Sequence, residues 1–289
     1  MSRERPRDPW RLALGRFAHN RAAMAGLFVL IVVTVAALGV EWISPYGVAE
    51  QDLARARQAP SWDHPFGTDA VGRDLFTRTL HGGRISLLVG VVATFVSIVI
   101  GVTWGLVAGW NGGRVDELMM RFVDLLYGLP FLFFVVLLVA WFGQSLVLLF
   151  VALGAVQWLT TSRIVRAETQ RLRGEEFVIA ARSIGVPTPM ILLRHVLPNL
   201  LGPVLVVATL TVPTVMLEEA FLSFLGLGVQ PPMASWGSLA SEGAAALNPV
   251  DSMWWWIVFP GALFSLTLLA LNFVGDGLRD AFDPKTVRK

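Results

Sequence analysis

The sequence predicts an all-α integral membrane protein with six transmembrane helices and with both termini in the cytoplasm. Three observations predict this class: the apolar composition, the lengths of the uncharged runs, and the positions of the basic residues. Of the 289 residues, 55% are hydrophobic and 15% are charged. The mean hydropathy of +0.63 is too high for a soluble domain.

Apolar runs without Asp, Glu, Lys or Arg occur at residues 22–40, 85–113, 125–162, 195–217 and 252–275. A spanning helix needs about 20 mainly apolar residues, so four of these runs hold one span each. The run 125–162 is about twice as long as one span needs, and Gly143-Gln144-Ser145 in its middle predicts a turn. The expected spans are 22–43, 85–109, 123–142, 146–163, 199–224 and 254–275.

The basic residues give the orientation, because cytoplasmic loops of membrane proteins are enriched in Lys and Arg. With six spans and a cytoplasmic N-terminus, the inner segments are 1–21, 114–121, 163–194 and 279–289. They hold 18 of the 23 Lys and Arg, and the other five lie in the external loop 44–84. The remaining permease core, 85–278, then contains five spans and a cytoplasmic loop at 164–198, and a cytoplasmic tail follows at 279–289.

Composition excludes several functions. There is no cysteine, and the net charge is only +2, so we expect neither thiolate metal sites nor a nucleic-acid partner. The segment 67–74 superficially resembles a phosphate-binding loop, but Arg73 and Asp74 replace its lysine and hydroxyl. The only lysines are Lys285 and Lys289. We therefore expect no catalytic residue, metal or cofactor in this chain and no ATP hydrolysis by it.

The predicted cytoplasmic segment 174–199 has the features of a binding site for another protein. Phe177, Ala180, Ala181 and Ile184 fall on one face of a predicted helix, and its two alanines let a partner approach closely. Gly185 is expected to end this helix, and Thr188 to cap the next one ahead of a proline. So short a helix is not stable alone in water, which favours a partner.

The same segment resembles the loop by which bacterial binding-protein-dependent ABC importers dock on their ATPase subunits. The family pattern is EAA, three residues, Gly, nine residues, then I-x-L-P. This chain has Ile179-Ala180-Ala181, Gly185, His195 and Leu197-Pro198. Ile179 and His195 depart from the pattern, while Glu176 occupies an acidic position common in the peptide branch. The resemblance assigns docking roles to Glu176, Phe177, Ala180, Ala181, Gly185, Leu197 and Pro198.

Further blocks are typical of the C-subunit in the dipeptide/oligopeptide permease family. They are Phe66–Asp69, Gly72–Asp74, Gly83–Ser86, Phe221–Gly228, Trp236-Gly237 and Gly275–Ala281. The resemblance implies the ABC type I importer permease fold, the bacterial cytoplasmic (inner) membrane and ATP-driven import of oligopeptides or dipeptides. A different cargo, such as nickel or a metal chelate, remains the alternative.

The resemblance also implies partners for this chain, which is surrounded by membrane lipid. It would form the pathway with a homologous permease B-subunit. Two ABC ATPase subunits would bind the ATP and Mg, and a periplasmic or lipid-anchored peptide-binding protein would deliver the cargo.

The fifth span carries two features that need an explanation. A charged residue at the centre of a span costs about 2.5–3.5 kcal/mol, yet Glu218 and Glu219 are adjacent there. Both acids are expected either to reach water at the outer end or, for Glu219, to meet the ammonium group of a passing peptide. Pro203 and Pro213 predict a kink, which membranes tolerate where backbone lines a cavity. The resulting pathway or gate candidates are Pro213, Glu219 and Phe221.

The orientation can be tested with single introduced cysteines, because the chain has none of its own. We expect a thiol at Gln58 or Ser241 to react with an impermeant reagent added outside intact cells. A thiol at Gly113, Arg173 or Thr286 should react only after the membrane is opened. Outside labelling at Arg173 would contradict the six-span arrangement.

Overall fold

A computed structural model describes residues 9–247 and 252–282. The N-terminal part contains α1 (Pro9–His19), α2 (Arg21–Leu38) and the short α3 (Val40–Ile43). An irregular segment with one 3₁₀ turn at Leu53–Arg55 leads to the long α4 (Leu75–Asn111). The Asn20 side chain accepts a hydrogen bond from the Ala23 backbone N–H and so fixes the start of α2.

The rest of the chain is also helical. In order, the elements are α5 (Gly113–Tyr127), α6 (Phe131–Phe142), α7 (Leu146–Arg173), α8 (Glu176–Ser183), α9 (Thr188–Ile191), a π-helical turn (Leu192–Val196), α10 (Leu197–Phe224), α11 (Trp236–Ala246) and α12 (Trp255–Phe282). The predicted turn at 143–145 is confirmed, since Gly143 has a φ of 75° and the Ser145 hydroxyl caps α7.

Five helices of the described part are long and apolar enough to cross a membrane: α2, α4, α7, the continuous stretch Thr188–Phe224, and α12. A sixth span exists if α5 and α6 count as one, but they meet at an angle of 82°. The expectation of a single helix over 123–142 is therefore wrong. Pro130 supplies no backbone N–H, and it disfavours helical geometry at Leu129 before it, so the helix breaks there.

Several helices extend beyond their predicted bounds. α4 begins at Leu75, ten positions before the expected start, because the Asp74 side chain caps it at the Thr77 N–H. α7 continues to Arg173 and α12 to Phe282, well past the apolar runs. Hydropathy marks the part of a helix that lies in lipid, whereas caps decide where the helix ends. The loop 44–84 is consequently shorter than its predicted bounds.

α4 and α7 form the most extensive helix pair of the fold. Their contact depends on Gly101, Gly105 and Gly109 of α4, which recur every fourth residue and face α7. A Cβ atom at Gly105 would lie 2.6 Å from the Ser162 carbonyl oxygen, and one at Gly109 would lie 2.7 Å from the Arg166 carbonyl oxygen. Small residues at this spacing let two membrane helices approach at backbone distance.

The other spans surround this pair. α10 packs on α4 and α12, and α12 packs on α2, while α1 and α11 both lie against α12. The buried cluster in the middle of the fold joins α4, α7 and α10 through residues such as Val89, Leu153 and Val215. α6 is bound less closely, because only Val135 among its residues is buried.

The close α4–α7 contact makes a stability prediction. Gly105→Ala should lower the free energy of unfolding by about 1–3 kcal/mol, because the added methyl group overpacks the Ser162 backbone. Gly261→Ala is the matched control in α12, where a Cβ atom would meet nothing within 4 Å. Thermal unfolding midpoints of the detergent-purified variants would measure both effects, and an equal shift in the two would contradict this account of the contact.

Candidate docking helix and pathway sites

The predicted docking segment folds as a short helix followed by a sharp turn. α8 is eight residues long, and Gly185 follows it with a φ of 80°, a conformation that favours glycine. The Val186 N–H donates to the Ala181 carbonyl at 3.1 Å and satisfies one of the last helical acceptors. The predicted break at Gly185 is confirmed. Thr188 is instead the first residue of α9, and Pro187 occupies the cap position without a side-chain bond.

The apolar face expected of α8 is divided between two surroundings. Phe177 and Ile184 are 41% and 80% exposed, and Ala180 is exposed between them. Ala181 is only 6% exposed and belongs, with the fully buried Val178, to a cluster of this chain's own side chains. The expectation that Ala181 faces a partner is therefore corrected, because so short a helix needs one side anchored to its own protein.

The anchored side of α8 is tied to three long helices. Its cluster includes Trp110 of α4, Leu172 of α7 and Leu200 of α10. Across the same contact, the Arg182 guanidinium lies 4.3 Å from the centroid of the Trp110 ring, within the range of a cation–π interaction. No sequence signal predicts this pair, because positions 110 and 182 share no motif.

The second half of the docking motif surrounds the π-helical turn Leu192–Val196. His195 lies in this turn, and its ring centroid is 6.5 Å from that of Phe177. Leu197 is half-buried and Pro198 is exposed at the start of α10. Glu176 is exposed at the first position of α8. All of the predicted docking residues thus lie in one compact region, but Ala181 faces inward.

Glu219 is fully buried between helices. Its carboxylate accepts hydrogen bonds from Ser86 of α4 at 3.1 Å and from Ser223 of its own helix at 2.7 Å. The Ser86 hydroxyl also accepts the Trp236 backbone N–H at 3.2 Å, which extends the network to α11. This position does not fit the expected contact with water or a passing ammonium group. It fits a residue that joins three helices.

Glu218 has a different environment from its neighbour. It is partly buried, and its Oε1 accepts a hydrogen bond from Gln157 Nε2 of α7 at 2.7 Å. Its Oε2 has no hydrogen-bond partner within the described residues. Both Glu218 and Gln157 border a cavity of about 460 Å³ beside the bend between α5 and α6. The sequence signals for this site were Glu218 itself and Gln157, a polar residue inside the apolar run 125–162.

The other two pathway candidates differ in exposure. Pro213 is buried and Phe221 is 52% exposed. α10 is a continuous helix from Leu197 to Phe224 with Pro203 and Pro213 inside it, so these prolines do not interrupt it, and the kink expected there stays a prediction. Phe221 points away from the chain's own core, so a partner chain or lipid can contact its side chain.

The segment that resembles a phosphate loop contributes Asp69 to a charged clamp with Arg78 and Glu242. Arg78 is only 2% exposed and donates to Asp69 at 2.7 Å and to both oxygens of Glu242 at 2.6 and 2.8 Å. Asp69 also accepts from Arg73 at 2.5 Å. A carboxylate in this position repels phosphate, which agrees with the exclusion of a nucleotide site. The clamp joins the irregular segment, α4 and α11.

Within the described residues, no group of three or more His, Asp or Glu side chains is arranged to hold a metal ion. The class of this protein follows from two features. Long apolar helices surround a shared core, and the short helix α8 has one side buried against them and one side exposed. It is a helical membrane subunit that works together with other chains.

The chain belongs to the family of binding-protein-dependent transport system inner membrane components, whose profile matches residues 101–288. Residues 8–60 match the profile of the N-terminal TM domain of oligopeptide transport permease C. These matches confirm the resemblance found in the sequence, and the chain is accordingly a multi-pass protein of the bacterial inner membrane.

Individual relatives cover nearly the whole chain. It is 48% identical to the oligopeptide transport system permease protein OppC of Haemophilus influenzae, over 96% of this chain and 89% of the relative. It is 46% identical to the dipeptide transport system permease protein DppC of Bacillus subtilis, over 97% and 86%. A chain of the MetNI methionine ABC transporter in an inward-facing conformation shares the fold, with a TM-score of 0.60 and 18% identity over 72% of this chain.

The clamp makes a second stability prediction. Arg78→Met should lower the free energy of unfolding by about 3 kcal/mol, because it removes one of the two guanidinium groups bound to the buried Asp69 and both hydrogen bonds that Arg78 gives to Glu242. Arg84→Met is the control, since Arg84 and Glu41 are 45% and 75% exposed at 3.8 Å, where an ion pair contributes about 0–1 kcal/mol. Thermal unfolding in detergent measures both, and a small loss for Arg78→Met would show that the clamp is not structural.

Proposed function

We propose that this chain is a pathway-forming permease subunit of an ATP-driven importer of oligopeptides or dipeptides. The proposal is supported by 46–48% identity to peptide permeases over at least 96% of the chain. The partners are a homologous permease B-subunit, two ABC ATPase subunits and an external peptide-binding protein. ATP and Mg are bound by the ATPases, since this chain offers only Lys285 and Lys289 as lysines.

The observation that carries the proposal is the uncovered side of α8. Phe177, Ile179 and Ile184 are 41%, 52% and 80% exposed on a helix of eight residues. Large apolar side chains gathered on so small an element favour burial against a partner, at about 25 cal/mol per Å². Ala180 lies among them and keeps the surface shallow, as a helix inserted into a groove requires.

The anchored side of α8 provides a path by which movement of an ATPase can reach the long helices. A partner that moves α8 also moves Trp110, Leu172 and Leu200, which belong to three different long helices. The Arg182–Trp110 contact adds a directed attachment to α4. Motion of an ATPase would thus reach α4, α7 and α10 together.

The proposed arrangement in the membrane follows from the position of α8. With α8 in the cytoplasm and the bent α5–α6 pair as one span, the chain crosses six times and both termini are cytoplasmic. The clamp and α11 then lie outside, where the binding protein delivers the cargo. This orientation also places 18 of the 23 Lys and Arg inside.

We also propose that α10 forms part of the pathway and its gate. Phe221 is exposed on the outer half of this helix. Glu219 supports the gate from behind, since its bonds to Ser86 and Ser223 hold α10 against α4. Pro213 frees one backbone carbonyl inside the same helix and lets α10 bend there.

Cargo is tested most directly on the assembled complex. We expect the chain to copurify with a homologous permease, two ATPases and a binding protein, and we expect that binding protein to bind short peptides. Peptides should stimulate ATP hydrolysis by the reconstituted complex. Binding of nickel or a metal chelate in place of peptides would instead select the alternative cargo.

Docking is tested at Gly185. Gly185→Val should reduce peptide-stimulated ATPase activity about tenfold or more, because a β-branched residue is strained at a φ of 80° by about 1–3 kcal/mol. Glu176→Ala should cost less than about fivefold, since an exposed ion pair is worth about 0–1 kcal/mol.

Gly174→Val is the matched control for Gly185→Val. Gly174 ends α7 with a φ of −87°, and a Cβ atom there would meet only the Arg171 carbonyl oxygen, at 3.6 Å. This variant should retain most of the stimulation. Normal stimulation in Gly185→Val would contradict the proposed docking site.

A further inference from the structure

The cavity beside Glu218 combines one acidic side chain with mainly apolar and aromatic walls, unlike the docking helix and the clamp. It lies where the α5–α6 bend opens a space against α7 and α10, and its volume is about 460 Å³. That volume lies within the range of small-molecule sites, about 300–1,000 Å³. It can hold one amino-acid side chain or one end of a peptide.

The polar groups of the cavity favour a hydrogen-bond donor with positive charge. Gln157 Nε2 already satisfies Glu218 Oε1, and Oε2 is buried without a partner. The residues that line the cavity include no Lys or Arg among the described part of the chain. An acid placed in so apolar a region is costly until a cation or donor reaches it.

The walls of the cavity add to this preference. Phe122, Tyr127, Phe131, Phe134 and Trp158 all line it, and the faces of aromatic rings attract cations. Tyr127 already shows this behaviour, because the Arg163 guanidinium lies 4.3 Å from its ring centroid.

Arg163 does not neutralise Glu218, since its guanidinium donates to Asp124 at 2.7 Å. Its charge is therefore already matched by another carboxylate. The unpaired oxygen of Glu218 therefore has no cation of the described chain beside it to neutralise it.

We propose that this cavity receives the primary ammonium group of a peptide in transit, with Glu218 Oε2 as its acceptor. The inference rests on the proposed peptide transport, and it names the part of the cargo that this chain contacts. The ammonium group belongs either to the peptide N-terminus or to a lysine side chain. Because Glu218 lies on α10 and Gln157 on α7, relative movement of these helices would open the site and release the cargo.

The first experiment measures the charge of the cavity without requiring transport. Thr160 lines the cavity and is exposed on α7, and the absence of native cysteine makes Thr160→Cys a unique thiol. Its reaction rates with cationic 2-aminoethyl and anionic 2-sulfonatoethyl methanethiosulfonate are compared in the purified full chain. Adding Glu218→Gln should lower the cation-to-anion rate ratio by about threefold or more.

Glu117→Gln is the control for net charge. Glu117 lies on α5 but pairs with Arg121 on the exposed side of that helix at 2.7 Å. It should leave the rate ratio unchanged. A thiol that reacts with neither reagent, or a ratio equal in Glu218→Gln and its parent, would overturn the proposed site whatever the cargo is.

The second experiment identifies the source of the ammonium group in the reconstituted importer. Three tripeptides are compared: Ala-Lys-Ala, Ala-norleucine-Ala, and N-acetylated Ala-norleucine-Ala. Uptake by the variant is divided by uptake by the wild type for the same peptide, so that the preferences of the binding protein cancel. Glu218→Gln should lower this ratio about threefold or more for the peptide whose ammonium group occupies the cavity.

A loss confined to Ala-Lys-Ala would assign the site to lysine side chains. A loss for both free-amine peptides, with the acetylated one spared, would assign it to the N-terminus. An equal loss for all three, or no loss for any, would overturn the inference. Peptide uptake by the wild type tests the proposed function, whereas the effect of Glu218→Gln tests the ammonium site. Failure of one proposal is therefore distinguishable from failure of the other.

Discussion

The contact between α4 and α7 at backbone distance is the constraint on which the rest of the structure depends. Lipid offers no hydrophobic force between helices, so their association relies on close packing of small residues. Gly101, Gly105 and Gly109 give α4 a smooth edge, and α7 lies against it. α10 packs on both helices. Displacing α7 by the width of a methyl group would therefore disturb the buried cluster that anchors α8 at one end and the Glu218 cavity at the other.

The charged groups divide according to what they hold. The clamp of Arg78, Asp69 and Glu242 pairs opposite charges directly, and it fixes the irregular segment before α4 to two helices. Glu219 is paired with serines and fastens α10 to α4. Glu218, which borders a cavity, keeps one buried oxygen without a hydrogen-bond partner among the described residues. The two adjacent acids thus have different partners, because successive helical residues point about 100° apart.

Hydropathy predicts the class, and the apolar runs locate every described long helix. The break at Gly185 follows from the glycine itself, whose φ of 80° few other residues adopt. Hydropathy could not predict the bend at Leu129–Pro130, since the run is apolar on both sides of it. Nor could a periodic face show that Ala181 turns inward, because the pattern identifies a face without saying which chain covers it.

Contacts between distant positions were the least predictable. Arg182 meets Trp110, and Gln157 meets Glu218, with no motif to join either pair. Each side chain is ordinary for its helix, and only the packing of α4, α7 and α10 brings the partners together. The residues of the predicted docking segment could be proposed from the sequence because they lie close together along the chain, whereas those of the cavity come from separate helices.

The clamp also constrains the order in which the protein is made. Arg78 and Glu242 are separated by 164 positions, and α10 lies between them, so their bond cannot form until α10 has been made. Until then Arg73 and Arg78 share the single carboxylate of Asp69. Arrival of α11 supplies the second carboxylate, so a late step of biosynthesis completes a structure begun near the N-terminus.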